Sequence, residues 1–509
     1  MLPLLRQEWR LLRASKPYWV TLLLLGLLTA LAFQIGWSRA KQTAERDQRY
    51  RVEQAELHLL VKEAVQDQST REGPPEMRRP MMKDPPVDLE KLFNRSLSDI
   101  EKGRFRVLWN FAKGRFSLPH LPWRTWKVPS SLEALSVGES DHWPSYYSID
   151  RRRQGKTFSP PSLFNPFQSM IGALDLSTLL TVLLPLFVIV VLHDFVSGDR
   201  EQGTLRLILS QNVSFRKLVL TRLLVRVSGI VLTVLLVVVT GLILTGINLS
   251  DEHTLRLLGM FSLSLVAYTL FWSAVAWLIN SLGLTSVTNA ILMTMCWVVL
   301  VIVLPLGMSR VVAGRHPVIP LNALAAKENE IRASVRKARE QQRANAPQNE
   351  ERRERRGSRQ EGNRQETAVN SFILNELGPQ RQGIAAEIAQ VFENHQSRSD
   401  ALDACGIWSP AFAIKNTCDL ISGNSLSQSI EFSRKTGEFH ADLLAYLEKL
   451  PHRQSTLTVE DLQNMPVFLP APAARTISWE RLRTNVMTLA IWSAIPFLIG
   501  WIGFRSRLL

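Results

Sequence analysis

Residues 18–37 read YWVTLLLLGLLTALAFQIGW, twenty residues without one Asp, Glu, Lys or Arg. The hydrocarbon core of a bilayer is about 30 Å thick, and about 20 apolar residues in a helix cross it. Tyr18, Trp19 and Trp37 stand at the ends of the run, where amphipathic rings meet lipid headgroups. A charge-free helix of this length rarely belongs to a soluble core. Five further segments have the same character: about 172–193 (containing LSTLLTVLLPLFVIVVLH), 227–247, 257–279, 284–306 and 485–509, the last with a short tail. Only helices and closed barrels satisfy their backbone groups in lipid. The expected fold class is therefore an all-α membrane protein, with six transmembrane helices and two large, mainly helical extracytoplasmic insertions.

The whole-chain averages conceal this. Across 509 residues there are 60 Lys and Arg against 45 Asp and Glu, a net +15, and the mean hydropathy is +0.01. Taken alone, these values describe a basic soluble protein with a nucleic-acid partner. The runs of apolar residues remove that reading, and no nucleic acid is expected as a partner. Three Cys exclude a disulfide scaffold or a multi-Cys zinc module. A hydrophobic content of 46% excludes a mainly disordered chain.

Orientation follows from the basic residues. Arg6, Arg10, Arg13 and Lys16 precede span one, and Arg505 and Arg507 follow span six. Between spans two and three stand Arg200, Arg206, Arg216, Lys217, Arg222 and Arg226. The short loop between spans three and four has Arg256 against Asp251 and Glu252. The positive-inside rule puts both termini in the cytoplasm of a bacterial inner-membrane, multi-pass protein. Span one, with Ala30-Leu31-Ala32 near its end, resembles a signal peptide, but its run exceeds the usual 7–15-residue core, and an uncleaved span is expected.

Along the chain, residues 1–16 form an amphipathic helix, with Leu5, Trp9 and Leu12 on one face and Arg6, Arg10 and Arg13 on another. It suits contact with membrane lipids. The first extracytoplasmic region, 38–171, opens with a helix continuing from span one over 39–70, then a Pro-rich break at 73–86. Residues 104–127 interleave basic and aromatic side chains, the mark of a single-stranded nucleic-acid groove or of a membrane-proximal surface. Their extracytoplasmic position favours the second. The other large region, 307–484, has helical patterns at 321–344, 368–394 and 430–450 around a charged stretch at 348–366, and a linker at 466–472.

Chemistry-bearing motifs are few. There is no GxxxxGK[ST], HExxH or GxSxG, and the nine His have no ligand spacing. The chain is thus not expected to be an enzyme or to hold a metal. Asp175, at the outer end of span two, is either an intramembrane polar site or a cap on the helix starting at Leu176. Cys405 and Cys418 are either a disulfide or two reduced thiols, and Cys296 is a packing residue inside span five.

The cytoplasmic segment 194–226 contains HDFVSGDREQGTLRLILSQNVSFRKLVLTRLL over residues 193–224. Gly203 can end a helix or turn the chain, and Leu205, Leu207, Ile208 and Leu209 form an apolar patch that suits a partner groove. A helix packed only under the bundle is the other reading. Glu201, a spacer, Gly203 and Thr204, followed by a Leu-rich helix, resemble the signature of ABC-2 type permeases, the membrane subunits of one class of ABC transporter. The resemblance implies a separate ABC ATPase subunit that docks at Gly198, Arg200, Glu201, Gly203, Thr204, Leu205, Leu207 and Ile208. ATP and Mg would reside on that subunit, with no cofactor on this chain. It also implies a second permease subunit, identical or similar. Ser409, Pro410, Gly423, Phe432 and Phe439 resemble a bacterial subfamily with two large insertions. The expected function is a permease subunit of an exporter. Two alternatives are a mechanotransmission subunit acting on a periplasmic or outer-membrane partner, and a membrane-anchored scaffold or sensor.

Overall fold

The structure is a computed structural model. It describes residues 2–71, 123–149 except 142 and 144, 174–205, 215–317, 390–449 except 392, 466–468 and 477–506, with isolated positions at 333, 337 and 464. Six helices are long and apolar enough to cross a membrane: Lys16–Arg49, Leu176–Glu201, Lys217–Leu244, Glu252–Ser281, Ser286–Arg315 and Trp479–Gly503. They coincide with the six apolar runs and extend past them, because polar residues that favour helix continue each one. The first does not stop at Trp37 but runs as one helix, Lys16–Arg71, with no Pro or Gly after Gly36 to break it. Asp251 and Thr285 cap spans four and five by accepting from the backbone N–H of Thr254 and Thr288.

Spans two and five share an irregularity. Each contains one π turn, Leu179–Leu183 and Val298–Val303, followed directly by a Leu-Pro pair, 184–185 and 304–305. A proline inside a helix has no N–H, and its ring clashes with the carbonyl four residues back. Widening the turn before it relieves that clash. In span two the carbonyl deprived of its donor is that of Thr181, and Tyr268 Oη donates to it at 2.9 Å. The next carbonyl, of Val182, accepts from Trp297 Nε1 at 2.9 Å. Tyr268→Phe is therefore expected to cost about 1–3 kcal/mol, read as earlier thermal unfolding in detergent. An unchanged melting curve would show that the Thr181 carbonyl needs no donor.

Spans four and six pack along their length, with Trp277 stacked on Phe497 and Trp501 at 5.3 and 6.3 Å. Span one lies against span three, and Leu25, Val234, Val238, Phe261, Trp272 and Trp277 form the centre of the bundle. Span five stands apart: only 11% of its apolar window is buried within the chain. The helix Leu2–Ala14 packs on the start of span three, and Gly503 lies against Ser281 at the end of span four. The N-terminal helix, the end of span six, residues 194–205 and 215–226 and the turn between spans four and five thus share one end of the bundle, the terminal end.

At the far end the two long regions meet each other and the spans. Strands β1 (Trp123–Trp126) and β2 (Tyr146–Ile149) pair antiparallel, with Thr125 opposite Tyr147. Part of the basic and aromatic stretch is therefore a strand, which its composition did not suggest. Thr125 Oγ1 lies 3.1 Å from Thr436 Oγ1, and Tyr147 Oη lies 2.7 Å from Ser433 Oγ. Both partners are on the helix Leu426–Lys449. Phe468 packs on Trp126, Phe432 and Phe439. Arg481, at the start of span six, pairs with Asp400 at 2.8 Å and Asp403 at 2.5 Å. The backbone of span one at Gly36 touches that of the 3₁₀ turn Glu133–Leu135. A Cβ on Gly36 would sit 2.0 Å from the Ala134 carbonyl oxygen. The expectations for 73–86, 104–122, 348–366, most of 321–344 and 368–389, and 469–472 lie outside the described residues.

Candidate coupling site at the terminal end of the bundle

Span two ends in the helix Leu184–Leu192, and its last carbonyls have no partners within the helix. Span three supplies them. Arg226 Nη1 donates to the Val191 carbonyl at 2.9 Å, and Arg222 Nη1 reaches the turn that follows, donating to the Phe195 carbonyl at 3.3 Å. Cations are favoured at this negative end of the helix dipole. The same guanidinium groups gather three carboxylates. Arg222 pairs with Glu8 at 3.2 Å and with Asp199; Arg226 pairs with Glu8 at 3.6 Å and Asp194 at 3.2 Å. Glu8 and Arg222 are almost fully buried. The N-terminal helix, the end of span two and the start of span three are thus tied by one ion network.

Beside it lies an uncharged network. Asn280 Nδ2 donates to the Leu192 carbonyl at 3.3 Å, and Asn289 Nδ2 lies 3.2 Å from Asn280 Oδ1 and from Ser197 Oγ. Ser197 Oγ is 2.8 Å from Ser286 Oγ. These amides and hydroxyls join span two to the turn between spans four and five.

The sequence-derived docking residues that the structure describes, Gly198, Arg200, Glu201, Gly203, Thr204 and Leu205, lie beside both networks. Gly198, Arg200 and Glu201 belong to the short helix Ser197–Glu201. The Glu201 carboxylate accepts from the backbone N–H of Ser286 at 2.6 Å and from its hydroxyl at 3.0 Å, at the first turn of span five. An anion is favoured at that end of a helix. Arg200 donates to the Leu284 carbonyl. Gly203, at φ +74°, turns the chain in the left-handed region open to glycine, and Thr204 Oγ1 donates back to the Asp199 carbonyl at 3.1 Å. Arg200 through Thr204 are exposed and Leu205 is half-buried. Leu207 and Ile208 lie outside the described residues.

Asp175 is elsewhere, buried at the far end. It caps the helix at Leu176, accepting from Thr178 N at 2.8 Å, and it also accepts from Val137 N at 2.8 Å. Ser136 Oγ stands between Asp175 and Asp419, 2.5 Å from Asp419 Oδ1. Cys405 and Cys418 are free thiols in this structure; Cys418 is buried in the helix Pro410–Ser422 and Cys405 is half-buried. Burial, with Asp419 and Asp175 nearby, pushes the Cys418 thiol up, away from the thiolate that disulfide exchange needs. Among the described residues, no three His, Cys, Asp or Glu are grouped as metal ligands.

The sequence reading missed Glu8, Asp194, Asp199, Ser197, Asn280 and Asn289. Arg222 and Arg226 entered it only as topology charges. Asn280 and Asn289 carried a signal, as polar amides on both sides of a short turn between two apolar runs.

Residues 2–337 match the family model described as ABC-2 family transporter protein, a stretch that holds every residue of both networks. The chain belongs to that family. As an ABC-2 transporter protein it is a multi-pass membrane permease subunit of an ABC transporter, not itself the catalytic subunit, and the family implies an ATPase partner. Residues 333–471 match a Domain of unknown function (DUF3526), so span six follows both matches. No curated protein and no solved structure matches the chain.

Proposed function

We propose that this ABC-2 permease subunit serves an exporter in the bacterial inner membrane, with the terminal end in the cytoplasm. A separate ATPase, holding ATP and Mg, would dock on the exposed turn after span two, and a second permease subunit would complete the path. Glu201 carries the reading: its carboxylate links that exposed turn to the first turn of span five. A push on Arg200–Thr204 is thereby delivered to span five through Ser286, and to span three and the N-terminal helix through Asp199 and Arg222. The weak burial of span five within the chain suits a helix that moves against lipid or a second subunit.

The test is purification in mild detergent. An ATPase should co-purify, and Glu201→Ala should reduce permease-dependent ATP hydrolysis about 5–150-fold, the usual span of a coupling energy of 1–3 kcal/mol. Leu207→Ala should weaken co-purification. If no ATPase co-purifies and neither change alters hydrolysis, the reading is wrong. Mechanotransmission is a second reading, favoured by the far-end attachments at Gly36, Asp175 and Arg481. Under it, ATP would change the exposure of the outer regions in sealed vesicles with no solute flux.

A further inference from the structure

Just beyond the apolar run of span one, which ends at Trp37, three stretches of chain line a cavity of about 310 Å³. Small-molecule sites begin at about 300 Å³. One wall is the continuing helix. Arg39, Thr43 and Arg46 follow one another at steps of four and three, so they share a helix face, and all three line the cavity. Lys127 adds a third cation and Glu133 the single carboxylate of the lining. The lining is net positive, which selects an anion.

The opposite wall is built differently. Ser140, Ser422 and Ser429 line it, and each has already given its one hydroxyl proton to a backbone carbonyl: Val137 at 2.6 Å, Asp419 at 3.0 Å and Ser425 at 3.1 Å. What these oxygens still offer is lone pairs. The Asn424 amide gives one N–H to the Ser136 carbonyl at 2.8 Å, and its oxygen is a further acceptor. This wall therefore takes donors and the helix wall takes negative charge. Burial pushes Glu133 up and Lys127 down, and each acts on the other's charge, with Asp47 also near Glu133.

We propose that the cavity binds a small organic anion, a phosphate or carboxylate joined within a few atoms to hydroxyl or ammonium donors. Arg39 and Arg46 stand two and nine residues past Trp37, a rise of roughly 3 and 14 Å. A lipid headgroup with a phosphate and donors reaches the site as readily as a free solute of the same chemistry.

The experiment uses the full chain in phosphatidylcholine nanodiscs, whose headgroup has no N–H or O–H donor. O-phosphoethanolamine is titrated calorimetrically, with sulfate as an anion that lacks the donor arm. Binding should saturate, and sulfate should bind about tenfold more weakly. Arg46→Gln, at an exposed position where folding is not at stake, should lower phosphoethanolamine affinity about tenfold. Ser429→Ala should weaken phosphoethanolamine and leave sulfate unchanged. Repetition in phosphatidylethanolamine nanodiscs then assigns the source. Loss of titratable binding there, reversed by Arg46→Gln as a loss of lipid-dependent stability, marks a headgroup site; unchanged binding marks a free solute. The proposal is overturned if nothing saturates in phosphatidylcholine and stability is the same in both lipids. It is equally overturned if sulfate binds as well or if Arg46→Gln has no effect. No ATPase or nucleotide is present, so the outcome is independent of the coupling reading.

Discussion

Arg222→Met is expected to destabilise the terminal end of the bundle by about 3–5 kcal/mol, the usual cost of removing one partner from a buried ion pair. Arg222 is the only cation that touches both Glu8 and Asp199 among the described contacts, and it also satisfies the Phe195 carbonyl. Without it, Glu8 stays buried and shares Arg226 with Asp194. The change should appear as an earlier unfolding transition in detergent and as faster proteolysis of the N-terminal helix. Adding Glu8→Gln should recover part of the loss, because the stranded charge is then removed. A double variant as unstable as the sum of the two single variants would show that Glu8 and Arg222 act independently. Under the proposed coupling, permease-dependent ATP hydrolysis should fall with Arg222→Met, since the turn at Asp199 loses its tie to span three.

Gly36→Val should separate the outer regions from span one. The site has no room: a Cβ would stand 2.0 Å from the Ala134 carbonyl oxygen and 2.9 Å from its carbon, backbone atoms that no rotamer change can remove. Forcing side-chain volume into a packed contact costs about 1–3 kcal/mol. Valine adds little helix propensity to offset it, and its stiff χ1 cannot steer the methyls aside. The displaced segment also holds Val137, whose N–H is bound by Asp175. Limited proteolysis should therefore cut the 127–149 segment faster, while, under the proposed docking of the ATPase at the other end of the bundle, basal ATP hydrolysis stays near the unsubstituted level. An unaltered digestion pattern would mean that the Gly36–Ala134 approach is not required.

The six spans were legible because hydropathy is a local property that survives any tertiary arrangement. So were the long helix through Arg71 and the glycine turn at position 203, each written in a few neighbouring residues. The networks were not legible, because their partners are remote in the chain. Glu8 meets Arg222 across 214 positions, and in sequence it is an ordinary acid on a basic amphipathic helix. Asp175 is a visible cap, but nothing near it announces Ser136 or Asp419. The β1–β2 pair escaped notice for a related reason. Its strands have no two-residue turn between them, and four-residue strands rich in Trp, Tyr and Arg look like an interfacial surface. What the terminal end does with Ser197, Asn280 and Asn289 follows from a short turn that folds two spans together, which composition does not encode.

The two π turns have a consequence for helical phase. One residue more than an α-turn rotates everything after it by about 100°. Spans two and five are therefore each two half-helices out of step, and a single heptad count cannot place both halves on one face. Leu176 turns inward before the first widening, Leu179 and Leu180 within it, and Leu184, Val188, Val191 and Leu192 after it. Loss of one residue between Leu179 and Leu183 would restore an ordinary α-turn and swing the half toward the terminal end around the axis. That rotation would carry Ser197 and Glu201 away from Ser286 without altering any residue of the candidate coupling site itself.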